Sequence, residues 1–312
     1  MRVLVFGLLG WLGVLSALGA ERVPGVVALI GGSQLVAASE AGYLETYYVL
    51  REQGKGTRFR NLSWEGDTVF ARPRPLNYPG LDQQLKSIGA TAVLMQFGQM
   101  ESLAGAAGVE EFENAYETLI QDVRKVVPQV VLLTPTPFGG GGPLDAAAVA
   151  ARNRNLRLYI NAVERIGTRQ DLRVINVFGN QGEPPFPWST EDGVQPTADS
   201  QRAIAAWIAL FDLADRRGAL VAEYTVQPGG KDVEALREAV IAKNKIWFRY
   251  SRPTNWAFLA GDRTEQASSR DHRDRSIRWF PQEMEEFVPL LQAAESEVAQ
   301  RAAALRQKSI SQ

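Results

Sequence analysis

Short apolar runs alternate along the chain with longer segments in which apolar residues recur every three or four positions. A short continuous apolar run is typical of a buried parallel strand, and a recurrence of 3.6 residues is typical of an amphipathic helix. In the segment 109–126, for example, Phe112, Tyr116 and Ile120 fall on one face. The pattern predicts strands at 26–30, 59–62, 92–96, 130–133 and 172–177, and helices at 35–51, 82–88, 109–126, 146–166 and 197–216.

Strands that alternate with single helices predict an α/β fold, with a mostly parallel sheet and helices on both of its faces. Functional residues of such sheets lie beyond the carboxyl ends of the strands. The pattern changes near residue 218. After a linker-like stretch at 226–230, it predicts a helix at 232–248 and a charged helix at 284–306 that is interrupted near Pro289. We therefore expect an α/β domain at 21–218 and a helical C-terminal extension at 219–312.

The N-terminus has the layout of a secretory signal peptide. Arg2 precedes an uncharged apolar run at 3–18, and small residues follow at Gly19 and Ala20. An uncleaved membrane anchor is the alternative, although the run is short for a membrane span. We expect residues 1–20 to be removed, no stable membrane span in the mature chain, and a secreted or periplasmic location. A bacterial lipoprotein is excluded because the junction has no Cys.

Composition narrows the chemistry. Lys and Arg total 34 against 35 Asp and Glu, a net charge of −1, which argues against nucleic-acid binding by bulk charge. The chain has no Cys and one His, so disulfides, thiolate metal sites and paired imidazoles are excluded. We expect neither a metal nor a cofactor.

Polar and small residues follow the predicted strands in four blocks. Ser33 follows the first strand, the segment 61–68 follows the second, 96–102 follows the third, and 192–197 precedes the last helix of the α/β domain. In this order the blocks resemble the SGNH (GDSL-like) hydrolase family, and more narrowly a divergent branch of planctomycete and verrucomicrobial type. NLSWEGDTV is the most specific match, and the segment 235–263 is also similar to that branch.

The resemblance implies a flavodoxin-like three-layer sandwich, and it implies roles for individual residues. Ser33 matches the nucleophile, Gly66 the oxyanion-hole glycine and Asp192 the acid of the triad. Met100 lies where the branch has an oxyanion-hole Asn, or Gln99 does if the match slips by one residue. The neighbouring binding-loop positions are Asn61, Asp67 and Glu101.

Gln195 lies where the family has its catalytic His. A serine hydroxyl needs a base to remove its proton, and glutamine cannot serve as one near neutral pH. Loss of a triad member lowers turnover by several powers of ten. The single imidazole, His272, belongs to the charged stretch 263–278, where a solvated surface residue is the ordinary interpretation.

Three functions remain open. The first is a pseudo-hydrolase that binds an acylated carbohydrate or a cell-surface ester without turnover. The second is an active ester hydrolase or deacylase in which Ser33 works with a rearranged base. The third is an interaction module whose extension binds a protein partner through Trp256 and Phe258.

Several residues also have plain structural interpretations. Ser33 suits an N-cap of the following helix. Trp247, Tyr250, Trp256 and Phe258 suit packing of the extension on the sheet. The loop 138–143 lacks the Gly-Lys-Ser/Thr ending of a phosphate loop and reads as a flexible rim. A carboxylate cluster of Asp67, Glu101 and Asp192, as in glycoside hydrolysis, is a weaker interpretation.

Overall fold

A computed structural model describes residues 25–51, 56–179, 188–211 and 230–310. Its sheet has five parallel strands: β1 Val26–Gly31, β2 Arg58–Asn61, β3 Ala92–Gln96, β4 Val130–Leu133 and β5 Arg173–Ile175. Their spatial order is β2-β1-β3-β4-β5, the order of flavodoxin-like sheets. The predicted fold class is confirmed. The predicted signal peptide lies outside the described residues, as do the end of the helix predicted to reach residue 216 and most of the linker.

Helices flank the sheet and follow it in the chain. Those of the α/β domain are α1 Ser33–Ala41, α2 Tyr43–Arg51, α3 Leu81–Ser87, α4 Val109–Arg124, α5 Ala146–Gln170 and α6 Ala198–Ala209. A 3-10 helix, Glu101–Gly108, precedes α4. The C-terminal extension contains α7 Lys231–Ser251, α8 Trp256–Leu259, a 3-10 turn Ala267–Ser269 and α9 Trp279–Ile310. No helix within the described ranges combines the length and apolar character that a membrane crossing needs.

Both faces of the sheet are buried. On β1, Ala28 and Ile30 pack with residues of α3, α4 and α5, whereas Val27 and Leu29 pack with residues of α1, α2 and α6. Because neighbouring strand residues point to opposite faces, each strand contributes to two apolar layers. This explains why the strands read as continuous apolar runs.

Three local predictions were wrong. The segment 35–51 is two helices, because Gly42 ends α1 in the left-handed region at φ 74°. Ser33 is not an N-cap: Gly32 holds that position and Ser33 is the first helical residue. The last helix is not interrupted near Pro289, since α9 begins at Trp279 and continues through the proline.

The C-terminal helices pack directly on the α/β domain. A third apolar cluster joins Leu50 of α2 to Leu236 and Val240 of α7 and to Val298 of α9. The indole of Trp247 donates a hydrogen bond of 2.8 Å to the carbonyl oxygen of Asn61. These contacts favour the packing role for Trp247.

The remaining aromatic residues of the extension also have packing partners. The Trp256 indole donates to the Leu76 carbonyl oxygen at 2.8 Å, and its ring centroid lies 4.8 Å from that of Tyr78. Phe258 stacks on Phe280 with ring centroids 5.1 Å apart. Trp256 therefore serves the contact between the extension and the loop after β2, whereas Phe258 packs within the extension.

Candidate functional site

The carboxyl end of β1 is closely surrounded by neighbouring backbone. A Cβ atom on Gly31 would lie 2.6 Å from the carbonyl oxygen of Gln96, and one on Gly32 would lie 3.0 Å from that of Asp67. Glycines at these two positions let the loops after β2 and β3 approach β1. Ser33 follows them as the first residue of α1, partly accessible, and its hydroxyl has no hydrogen-bond partner among the described residues.

The loop after β2 is held by its own polar side chains. Asn61 donates from Nδ2 to the Leu35 carbonyl oxygen at 3.2 Å and accepts from the Ser63 amide at 2.9 Å. Asp67 is buried and forms a bidentate ion pair with Arg74, with both N···O distances 2.7 Å. Gly66 is exposed in this fixed turn.

Glu101 joins the loops after β2 and β3. Its carboxylate accepts from the Val69 amide at 3.0 Å and from the Gly98 amide at 2.9 Å. Burial raises the pKa of Glu101, and the hydrogen bonds from the two amides offset part of that rise. Glu101 is therefore a structural link between two strand-end loops.

The two candidates for the oxyanion-hole position differ in environment. Gln99 is buried and donates from Nε2 to the Thr136 carbonyl oxygen at 3.0 Å. Its Oε1 is buried and has no partner in the part of the chain that is described. Met100 is 49% exposed and offers no hydrogen-bond donor from its side chain.

Asp192 and Gln195 share a tight turn. Oδ1 of Asp192 accepts from the Gln195 amide at 2.7 Å and from the Val194 amide at 2.9 Å, and these bonds lower the pKa of Asp192. Oε1 of Gln195 is buried without a hydrogen-bond partner among the described atoms. The Gly139 amide donates to the Gly193 carbonyl oxygen at 3.0 Å, so the glycine-rich loop 138–143 packs on this turn.

The four sequence blocks meet at one edge of the sheet. Gly32 and the Asp67 carbonyl connect the first two blocks. A small cavity lined by Gln34, Gln96 and Pro196 connects the first, third and fourth. Ser33, Gly66, Gln99, Met100 and Gln195 therefore belong to loops that converge at this edge.

His272 does not join them. It lies between α8 and α9, its side chain is 75% exposed, and its ring Nδ1 is 3.8 Å from the carboxylate of Asp271. The three carboxylates named in the sequence do not form a cluster either. Asp67 pairs with Arg74, Glu101 binds two backbone amides, and Asp192 caps its own turn. Across the described ranges, no group of three or more acidic or His side chains is placed to hold a metal ion.

Two polar residues at this edge were not predicted. Gln34 is buried and hydrogen bonds through Nε2 to the Thr136 hydroxyl, and the Thr136 amide donates back to Gln34 Oε1 at 3.4 Å. Thr136 also receives the Gln99 side chain on its carbonyl oxygen. Their positions in the sequence could have indicated them, because Gln34 follows Ser33 and Thr136 lies just beyond β4.

Comparisons with known proteins agree on the family and the fold. The model of the GDSL-like lipase/acylhydrolase family matches residues 30–203. Among solved structures, BT4096, "a gut microbial diltiazem-metabolizing enzyme", aligns over 89% of this chain and 95% of its own at 10% identity, with a TM-score of 0.58. That likeness shows a shared fold, and it includes the C-terminal helices.

Esterases with shorter chains align over part of this chain. The acetyl xylan esterase AlAXEase covers 59% of this chain and 97% of its own at 17% identity, with a TM-score of 0.45. Est24, a carbohydrate acetylesterase from Sinorhizobium meliloti, covers 59% and 96% at 14% identity, with a TM-score of 0.45. No curated protein matches the chain.

Proposed function

Because the chain belongs to the GDSL-like lipase/acylhydrolase family, we propose that it is a secreted member that binds an acylated carbohydrate or a cell-surface ester without hydrolysing it. The observation that carries this proposal is the identity and the environment of Gln195. It stands where the family has its base, and its buried Oε1 has no hydrogen-bond partner among the described residues. Such an oxygen can accept a hydrogen bond from a ligand but cannot take a proton from a serine.

Glu101, Asp192 and His272 do not supply a base. The Glu101 carboxylate is buried and bound by two backbone amides. Asp192 directs one carboxylate oxygen to its own turn, and these bonds lower its pKa, which weakens it as a proton acceptor. His272 lies on the extension beside Asp271. Among the described residues, Ser33 therefore has an accessible position but no hydrogen-bond partner that would activate it.

Unpartnered acceptors favour a ligand rich in hydroxyl groups. A buried acceptor without a partner costs about 1–3 kcal/mol. Gln99 and Gln195 each have such an oxygen at this edge. A ligand hydroxyl that reached either oxygen would satisfy it, which is the reason for placing a carbohydrate here.

Exposed apolar side chains favour an acyl group on that ligand. Phe70, Met100 and Leu103 are each 49% exposed. Glu101 connects their loops through the Val69 and Gly98 amides. An acyl substituent would cover these side chains, while the sugar contacts the amide oxygens.

The hydrolysis arm of the test uses the purified mature chain. We expect no labelling of Ser33 by a fluorophosphonate probe and no hydrolysis of 4-nitrophenyl acetate above that of Ser33→Ala. We expect the double variant Gln195→His/Met100→Asn to gain both reactions. Labelling of the unmodified protein would establish the active-esterase alternative instead.

The binding arm uses acetylated xylo-oligosaccharides in isothermal titration calorimetry, with the deacetylated sugars as the ligand control. We expect Gln195→Ala to weaken binding by about tenfold, the equivalent of about 1.4 kcal/mol. Gln121→Ala, an exposed glutamine on α4, should leave binding unchanged. Equal binding of acetylated and deacetylated sugars would contradict the acyl contact, and equal binding by Gln195→Ala would contradict the role of Gln195.

A further inference from the structure

A second cavity lies between α1 and α7, next to the strand-end site, with which it shares Asn61. It has a volume of about 270 Å³, and Ser33, Gly66, Gln99 and Gln195 are not part of its wall. We propose that it binds a short-chain aliphatic carboxylate. This inference goes beyond the proposed function because it concerns another site and another ligand.

Part of the cavity wall is apolar, and one of its rings is fixed by a hydrogen bond. Val36 and Ile241 contribute aliphatic surface, and Trp247 and Phe248 contribute rings. Trp247 is 5% exposed and is fixed by its hydrogen bond to the Asn61 carbonyl oxygen. Phe248 is 44% exposed. A preformed wall of this kind suits the hydrocarbon part of a ligand.

The charges along the cavity have an excess of cations. Lys245 and Arg249 lie one turn apart on α7, and neither has an ion-pair or hydrogen-bond partner in the described part of the chain. Arg252 is paired with Glu65 at 3.0 Å, and Glu40 is the one acidic residue among the described residues that line the cavity. Two unpaired cations beside an apolar wall are complementary to a carboxylate that carries a hydrocarbon chain.

The volume limits the length of that chain. At about 30 Å³ for each water-sized group, 270 Å³ holds roughly nine heavy atoms. This corresponds to hexanoate or octanoate. Each further methylene should improve the dissociation constant about threefold to fourfold, since its burial is worth about 0.8 kcal/mol, until the cavity is full.

The experiment is a calorimetric titration of the mature chain with butyrate, hexanoate, octanoate and decanoate, with 1-octanol as the neutral analogue. We expect affinity to rise to octanoate and then level off. We expect Lys245→Gln/Arg249→Gln to weaken octanoate binding at least tenfold and to leave 1-octanol binding unchanged. The charge-matched control Lys86→Gln/Arg202→Gln alters exposed residues elsewhere and should bind octanoate normally.

A second variant tests the location. Ser39→Phe adds a ring at the cavity wall and should abolish binding of both octanoate and 1-octanol, while the circular dichroism spectrum stays that of the unmodified protein. Failure of octanoate to bind at millimolar concentration would overturn the proposal. Equal loss of octanoate binding in the two charge variants would overturn it as well, because the effect would then be one of net charge. These titrations do not involve the oligosaccharides of the strand-end test, so each proposal can fail alone.

Discussion

The buried ion pair between Lys243 and Glu45 gives the sharpest test of how the C-terminal extension is held. Lys243 lies on α7 and Glu45 on α2, and their side chains are 1% and 6% exposed. The Lys243 Nζ lies 2.6 Å from both carboxylate oxygens. We predict that Lys243→Met destabilises the protein by about 3–5 kcal/mol, because it leaves the Glu45 carboxylate buried without a counter-charge.

The magnitude follows from two opposing energies. At 2.6 Å and an effective dielectric constant of about 20, the attraction between unit charges is roughly 6 kcal/mol. Removing each ion from water costs several kcal/mol, so the intact pair contributes little in net terms. The same opposition acts on Lys243, where burial lowers the pKa and the Glu45 carboxylate offsets part of the shift. Loss of one partner removes the attraction and leaves the cost of burying the other.

The assay is urea unfolding followed by far-ultraviolet circular dichroism, arranged as a double-mutant cycle. Lys243→Met/Glu45→Leu should recover most of the stability that Lys243→Met loses, because replacing a buried ion pair by a well-packed apolar pair of similar volume is often neutral or stabilising. The control Lys86→Met breaks an exposed pair with Asp82 at 3.2 Å and should cost less than about 1 kcal/mol. The prediction would be wrong if Lys243→Met lowered the free energy of unfolding by less than about 1 kcal/mol, or if the double variant were no more stable than Lys243→Met.

Three further predictions concern single residues near the candidate site. Burial raises the pKa of Glu101 in the folded protein above its ordinary value of 4.5. Protonation of Glu101 therefore stabilises the fold fully at a pH below 4.5, and this contribution is lost as the pH rises through the raised pKa. Urea unfolding at a series of pH values should show the free energy of unfolding of the unmodified protein falling with pH, and that of Glu101→Gln changing less. Equal pH dependence in the two proteins would contradict this prediction. Gly142→Ala would place a Cβ atom against the Asp192 carbonyl oxygen, so we expect the free energy of unfolding to fall by about 1–3 kcal/mol. An unchanged melting temperature would contradict this contact. Trp247→Phe removes the hydrogen bond to the Asn61 carbonyl oxygen and should cost about 1 kcal/mol in urea unfolding, whereas no change would mean that the bond contributes nothing.

The strands were predictable because a parallel strand buried on both faces leaves a continuous apolar run. All five predicted runs overlap observed strands. The end of α1 was not predictable in the same way. A glycine within a helical pattern is usually tolerated, whereas Gly42 adopts φ 74° and a Cβ there would lie 2.8 Å from the Ile241 side chain. The close contact comes from α7, about two hundred residues later in the chain.

The candidate site was predictable in location and less so in detail. The rule that parallel sheets place functional residues at the carboxyl ends of strands led to loops that meet at one edge of the sheet, and the family resemblance assigned roles to positions within them. Neither could show that Glu101 binds the backbone of two loops, since that depends on how the loops meet. The partnership of Gln34 with Thr136 was missed for the same reason.

The geometry of the edge separates the groups that shape the site from the groups that would perform chemistry. Asn61, Asp67 and Glu101 are bound to neighbouring backbone or to an ion-pair partner, so they fix the loops whatever stands at position 195. Asp192 uses Oδ1 for its turn and leaves Oδ2 without a partner among the described residues. We expect a histidine at position 195 to have this carboxylate oxygen in the same turn available to orient its ring. For this reason the gain of hydrolysis in Gln195→His/Met100→Asn tests the proposal directly: a variant that folds and stays inert would contradict the interpretation that Gln195 stands in place of a catalytic base.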